Sequence, residues 1–254
     1  MRVKARATMV ALVPALLFTA VGCGGSPDPA PGKAPDPKGS ASRAPEGPGG
    51  SPAPAATAAP APKTPATRLE RSALEQGDLP GYTISAQGKN PGAPSGQPQA
   101  DRKACQPLAD IMGDKPDPSA KQTVNRGMGS QTQVGLAVSA SVSSYAPSDA
   151  KALIARLKAA VEACGTGFSA TVEKQTGSYR DIKSVPYATK GDESVSWSMT
   201  AAAQGVSARV HLVVVREGET VVRLMALNVA ASDQKAEVPH EVADKQLEKV
   251  GKAT

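Results

Sequence analysis

Large aromatic rings are scarce in this chain: two Phe, four Tyr and one Trp among 254 residues, or 3%. So few rings are expected in a core rather than around a pocket, and Trp197, Tyr82, Tyr145 and Phe168 are the candidates. Histidine is scarcer still, with only His211 and His240. Neither has a partner at a metal-ligand spacing such as H-x3-H or C-x2-C, so no metal site and no cofactor is expected. No G-x-S-x-G elbow occurs, which removes one common hydrolase signature. Glycine has no three-residue period, which excludes a collagen. Only one long apolar run exists, at the N-terminus, which excludes a polytopic membrane protein. No concentrated basic patch is found, which argues against nucleic acid as a partner.

What is present begins with an address. Arg2, Lys4 and Arg6 precede the uncharged run Met9 to Gly22, which is too short to span a bilayer and is interrupted by Pro14. A charged start, a short apolar core and small residues at its end predict a signal peptide over residues 1–22. The end of this segment and the residue after it, Ala20-Val21-Gly22-Cys23, resemble the bacterial lipobox, although that pattern prefers Leu where Ala20 stands. The resemblance implies a diacylglyceryl group on the Cys23 thiol and acyl chains such as palmitate. It further implies a lipoprotein anchored at the cell membrane on its extracytoplasmic face. Two or more chains suffice for this, at about 0.8 kcal/mol per buried methylene.

Residues 23–67 follow as a tether. Between Gly24 and Thr67, 30 of 44 residues are Pro, Gly or Ala, and none is Leu, Ile, Val, Met or aromatic. Such a segment cannot bury enough apolar surface to offset its chain entropy, so a disordered, partly polyproline-II linker is expected. Its stretched reach is on the order of 100 Å. The formal charge of +6 belongs largely to the leader and tether: from Arg68 onward there are 22 basic and 20 acidic residues.

Residues 68–254 read as one domain with a proper core. The spacing of Ala150, Leu153, Ile154, Leu157, Ala160 and Val161 predicts a helix from Ser148 to Ala163, capped by Ser148 or Asp149 and ended by Gly165. Further helices are expected at Arg102 to Met112, Arg68 to Gln76 and Pro239 to Val250. Alternating apolar residues predict strands at Gln131 to Tyr145, Glu193 to Ala203, Val206 to Val215 and Thr220 to Val229. Turns at Gln204-Gly205 and Glu217-Gly218-Glu219 join the last three into a meander. Ser169 to Thr176 and Tyr179 to Ser184 are weaker strand signals, and a mobile loop is expected around Gly127-Met128-Gly129. The fold class that follows is α+β, a twisted antiparallel sheet with helices packed on it.

Two cysteines remain once Cys23 is lipidated. An even count in an exported domain favours a disulfide between Cys105 and Cys164 over a pair of buried thiols, and the absence of C-x-x-C disfavours a redox site. Four short motifs then carry a resemblance: Gly77-Asp78-Leu79-Pro80-Gly81-Tyr82, Cys105-Gln106-Pro107-Leu108-Ala109, Ser143-Ser144-Tyr145 and Cys164-Gly165-Thr166-Gly167-Phe168. Over about Leu69 to Val250 the chain resembles the PknH-like extracellular sensor-type domain of actinobacterial kinases and the secreted lipoproteins that share it. The resemblance implies an α+β fold with a cleft and disulfides, of which one, Cys105 to Cys164, carries over. It implies no ligand-binding or catalytic residue.

The remaining candidates read plainly. By strand parity His211 shares a polar face with Ser207 and Arg209, and His240 opens a helix, so both are expected in solvent. Gly165-Thr166-Gly167 follows a helix and is expected as its terminus, not a dinucleotide loop. Asp181, Asp192 and Glu193 are expected as solvated loop charges. The functional expectation is a non-catalytic, membrane-anchored domain that binds a lipid, glycan or protein, with an interaction module of an envelope assembly as the alternative.

Overall fold

A computed structural model describes residues 67–87, 96–228 and 235–253. The leader, Cys23 and nearly all of the tether lie outside the described residues. The described chain forms a nine-stranded antiparallel sheet with four α-helices. In chain order these are α1 (Arg68–Ser72), β1 (Tyr82–Gln87), β2 (Gln99–Ala100), α2 (Gln106–Met112), β3 (Gln122–Ser130), β4 (Leu136–Ser144) and α3 (Pro147–Ala163). There follow β5 (Phe168–Val172), β6 (Gln175–Ser184), β7 (Glu193–Ala203), β8 (Val206–Glu217), β9 (Thr220–Asn228) and α4 (His240–Ala253). Across the sheet the order is β1-β3-β4-β9-β8-β7-β6-β5-β2. The expected α+β class is therefore the observed one.

The helices cover the two faces unequally. On β8, Val210, Leu212 and Val214 belong to a core beneath α2 and α3, while Val213 and Val215 belong to a second core beneath α1 and α4. Because side chains alternate along a strand, these cores lie on opposite faces. The first runs over β5 to β8 and includes Trp197, Met199, Phe168 and Ile182. The second runs over β1, β3, β4, β9 and the end of β8. Each helix pair thus leaves part of its face uncovered. The α4 face of β6, β7 and the first half of β8 carries Ser198, Thr200, Arg209 and His211 instead of aliphatic side chains.

Local chemistry explains the elements. Helix α3 buries all six residues of its expected stripe. Each large aliphatic side chain removed from water contributes about 1.5–3 kcal/mol. Its start differs from expectation: Ala146 takes the cap position with no side-chain bond and Pro147 opens the helix, where its missing N–H costs nothing. Helix α1 stops at Ser72 rather than Gln76, and its start is closed by a reciprocal Thr67–Glu70 capping box. The β7–β8 hairpin turns on Gln204 (φ 52°) and Gly205 (φ 80°), the pair of left-handed residues that a two-residue turn requires. The Gly165-Thr166-Gly167 segment is the turn after α3, as expected, but the left-handed residue in it is Gly167 (φ 95°) and not Gly165.

Three expectations need correction here. Strand β4 begins at Leu136, and residues 131–135 form the turn before it. Gly127, Met128 and Gly129 lie inside β3, paired on both sides, and Met128 is buried under the α1–α4 core. Strand β1, which is not among the expected strands, forms one sheet edge against β3. The last two have different causes. Strand β3 carries only Val124 and Met128 as large apolar residues, so no alternation announces it. Strand β1 does alternate, with Tyr82 and Ile84 buried and Thr83 and Ser85 exposed, but over too short a run to stand out.

Candidate functional site

The uncovered half of the α4 face holds a cleft of about 320 Å³. Its floor is Ser198 and Thr200 of β7 with Arg209 and His211 of β8, which are directly paired in register. Asp181 and Lys183 of β6 form one wall. Lys235, Ala236 and Glu237, which lead into α4, form the other. The volume is at the small end of ligand sites, which run from roughly 300 to 1,000 Å³.

Charge in the cleft is mixed but unevenly engaged. Thr200 donates its hydroxyl to Asp181 Oδ2 at 3.2 Å. Asp181 itself sits in a left-handed conformation (φ 56°) where the β6–β7 register shifts, so this strand irregularity turns its carboxylate toward the floor. Lys183, Arg209 and Lys235 make no ion pair among the described residues. Arg216 and Arg223, the buried arginines, each have a carboxylate partner.

His211 is not in solvent. It is 2% exposed. Its Nδ1 accepts the Val238 N–H at 2.9 Å, and its Nε2 lies 2.8 Å from Ser196 Oγ. An amide nitrogen can only donate, so Nδ1 carries no proton and the neutral ring holds its proton on Nε2. Burial, the largest effect, holds the ring below its ordinary value of 6.5, which fits a neutral imidazole. The same geometry disqualifies Ser196–His211 as a nucleophile–base pair. A serine nucleophile needs Nε2 as acceptor and a proton on Nδ1, the reverse of what Val238 imposes.

His240 is exposed, as expected, but it is not isolated. Its ring stacks on Tyr187 with centroids 4.3 Å apart, and Tyr187 also lies 5.6 Å from His211. The Tyr187 hydroxyl donates to the Val238 carbonyl at 3.2 Å. Both histidines of the chain therefore meet around one residue.

Of the three acids expected as solvated loop charges, only Asp181 reaches the cleft, and it does so from within β6. Asp192 and Glu193 instead clamp Arg216, at 2.7 and 3.4 Å, and line no part of the cleft. The Gly218 N–H bond to Asp192, reinforced by the Arg216 charge, holds that carboxyl below its ordinary value. Asp181 and Asp192 are exposed, as expected, while Glu193 opens β7. Their partners were not legible, because pairing between a loop and a distant strand end leaves no local trace in sequence. The four large rings are core, as expected: Trp197 is 0% and Tyr145 1% exposed, and Tyr82 and Phe168 are also buried.

Cys105 and Cys164 form the expected disulfide, with both residues fully buried between α2 and the end of α3. Among the described residues, no group of three His, Cys, Asp or Glu side chains is arranged to hold a metal ion. No described helix is long and apolar enough to cross a membrane.

No family model matches the chain, and no curated protein matches it. Among solved structures, the chain is similar to the extracellular domain of PknH from Mycobacterium tuberculosis, at 11% identity and a TM-score of 0.47. That match covers 73% of this chain and 94% of the other. A second similar structure is an uncharacterised protein from Mycobacterium smegmatis, at 13% identity and a TM-score of 0.36, covering 69% and 90%. Neither likeness assigns a ligand or a residue role to this chain.

Proposed function

We propose that this chain is a lipoprotein held at the outer face of the cell membrane through Cys23, whose α+β domain binds a small polar ligand without catalysing a reaction. The observation that carries the binding role is the cleft on the open half of the α4 face. Its floor is polar, and its three cations have no carboxylate partner among the described residues. Such a site suits a ligand with an anionic group, a carboxylate or a phosphate, seated on Arg209 and Lys183 above the Ser198 and Thr200 hydroxyls. An acyl chain fits it poorly, because it would leave those charges without water or a partner. The non-catalytic reading is supported by the His211 tautomer, which denies the one buried Ser–His pair its base.

Native mass spectrometry of the full chain, purified gently from its own cells, tests the binding role. A discrete added mass is expected, and it should disappear when Arg209→Gln and Lys183→Gln are combined. A clean unliganded mass overturns the reading, as does an adduct indifferent to both changes.

A further inference from the structure

Val238 is held through both of its backbone polar groups. Its N–H is donated to His211 Nδ1 and its carbonyl accepts the Tyr187 hydroxyl, while Tyr187 is stacked on His240. Immediately before Val238 stand Lys235, Ala236 and Glu237, the wall of the cleft. We propose that the His211–Tyr187–His240 cluster is a proton-operated latch: neutral His211 pins Val238 and the adjoining wall to the sheet, and protonation of its ring releases them. This rests on the reading of the cleft as a ligand site, and it assigns that site a pH-dependent opening.

The chemistry follows from the count of donors. The neutral ring offers one acceptor, Nδ1, and Val238 uses it. The imidazolium offers none, so a proton taken from solvent onto Nδ1 sets two N–H donors against each other. Val238 is fully buried and has no water to turn to. A buried amide that loses its acceptor is expensive, so the wall moves rather than the amide remaining unpaired. The Ser196 side is indifferent, because Nε2 donates in both states.

Other charges near the ring pull both ways. Glu237, in the wall, favours the cation, and His240, at the start of α4, opposes it. Tyr187 stays neutral: burial raises its hydroxyl, and Asp244, Glu237 and Glu241 raise it further. The cleft contributes Asp181, Lys183, Arg209 and Lys235, two walls and a floor with an excess of positive charge. Burial outweighs Glu237 and keeps the ring below 6.5. The sign is then fixed. Between 6.5 and the lower folded value the unfolded chain binds more protons than the folded one. Stability is therefore unaffected above 6.5 and falls as pH drops through that window.

The test uses the full chain without ligand, titrated from about pH 8 to pH 5 by nuclear magnetic resonance. Ring nitrogen shifts should show the proton of His211 on Nε2 at the alkaline end. As the ring titrates, with a midpoint below 6.5, the exchange protection of the Val238 amide should fall at least tenfold after correction for intrinsic rates. Trp197 emission, which reports the core on the opposite face, should stay constant. His211→Asn places a side-chain oxygen near the Nδ1 position that accepts from Val238 and does not titrate, and it should abolish the step. Where that variant does not fold, the unmodified chain decides alone. The latch is overturned by an Nδ1–H tautomer at pH 8, by Val238 protection that ignores ring protonation, or by protection lost only together with the Trp197 signal. Because no ligand enters this experiment, a failed latch leaves the mass-spectrometric test of the cleft intact, and an unliganded mass removes the ligand site while the release of Val238 on His211 protonation is still read on its own.

Discussion

Gln246 does at the residue scale what no aliphatic side chain could. It is fully buried in α4, where its Oε1 accepts the Leu74 N–H at 3.3 Å and its Nε2 donates to the Ser72 carbonyl at 2.6 Å. Helix α1 is only five residues long, and this one amide serves its last carbonyl, that of Ser72, and the Leu74 N–H just beyond it. Gln246→Leu keeps the volume and removes both bonds, leaving a buried N–H and a buried carbonyl unpaired. The loss should be about 2–4 kcal/mol, read as a lower urea midpoint with an unchanged slope. A loss under about 0.5 kcal/mol would mean that water enters and replaces the amide. The position was legible as buried, since 246 lies on the α4 stripe with Val242, Ala243, Leu247 and Val250. Its role was not, because the groups it serves are more than 170 positions away. His211 failed for a related reason. Parity groups it with Arg209 and Ser207, but the same parity continues to Val213 and Val215, which are buried. The unbroken apolar run Leu212 to Val215 was the signal that this end of β8 is covered on both faces.

Elements were legible where one face of a strand meets a helix and the other meets water. Strand β7 falls on its expected bounds, since Val195, Trp197 and Met199 face α3 while Ser196, Ser198 and Thr200 face away. Strand β3 lacks that contrast, since Gly127 and Gly129 flank Met128 and Asn125 and Arg126 precede it. Strand β1 has it, with Tyr82 and Ile84 in the core and Thr83 and Ser85 exposed, but is only six residues long. Helix α3 was legible in its buried stripe and its last residue, though not in its cap, and is secured further by its last residue's neighbour: Cys164 joins Cys105 across 59 positions. Closing a loop of that length contributes roughly 4 kcal/mol in the chain-entropy treatment. Replacing both cysteines by Ala should therefore lower unfolding free energy by about that amount, with the folded secondary structure retained. Adding reductant to the unmodified chain should reproduce the loss, and alkylation without reductant should modify neither cysteine. Equal stability with and without the bridge would show that the reduced unfolded chain is already restrained near these positions.

At the scale of the whole molecule, a sheet of nine strands is too wide for two short helix pairs to cover on both faces, and the cleft is what one of those gaps becomes. The site therefore depends on topology that no local motif encodes, which is why sequence offered its fold but none of its lining cations. The expected address falls on residues that lie outside the described structure. If Cys23 carries the lipid, the anchor lies outside the described residues, among which no helix is long and apolar enough to cross a membrane. Cys23→Ala should then remove acylation and either free the protein from the membrane fraction or leave it as an uncleaved precursor, read by fractionation and by intact mass. The domain made by this variant should still show the Cys105–Cys164 bridge, because export and not anchoring supplies the oxidising surroundings. A mature, membrane-bound Cys23→Ala protein would sink the lipid anchor and require a protein partner to hold the domain at the surface.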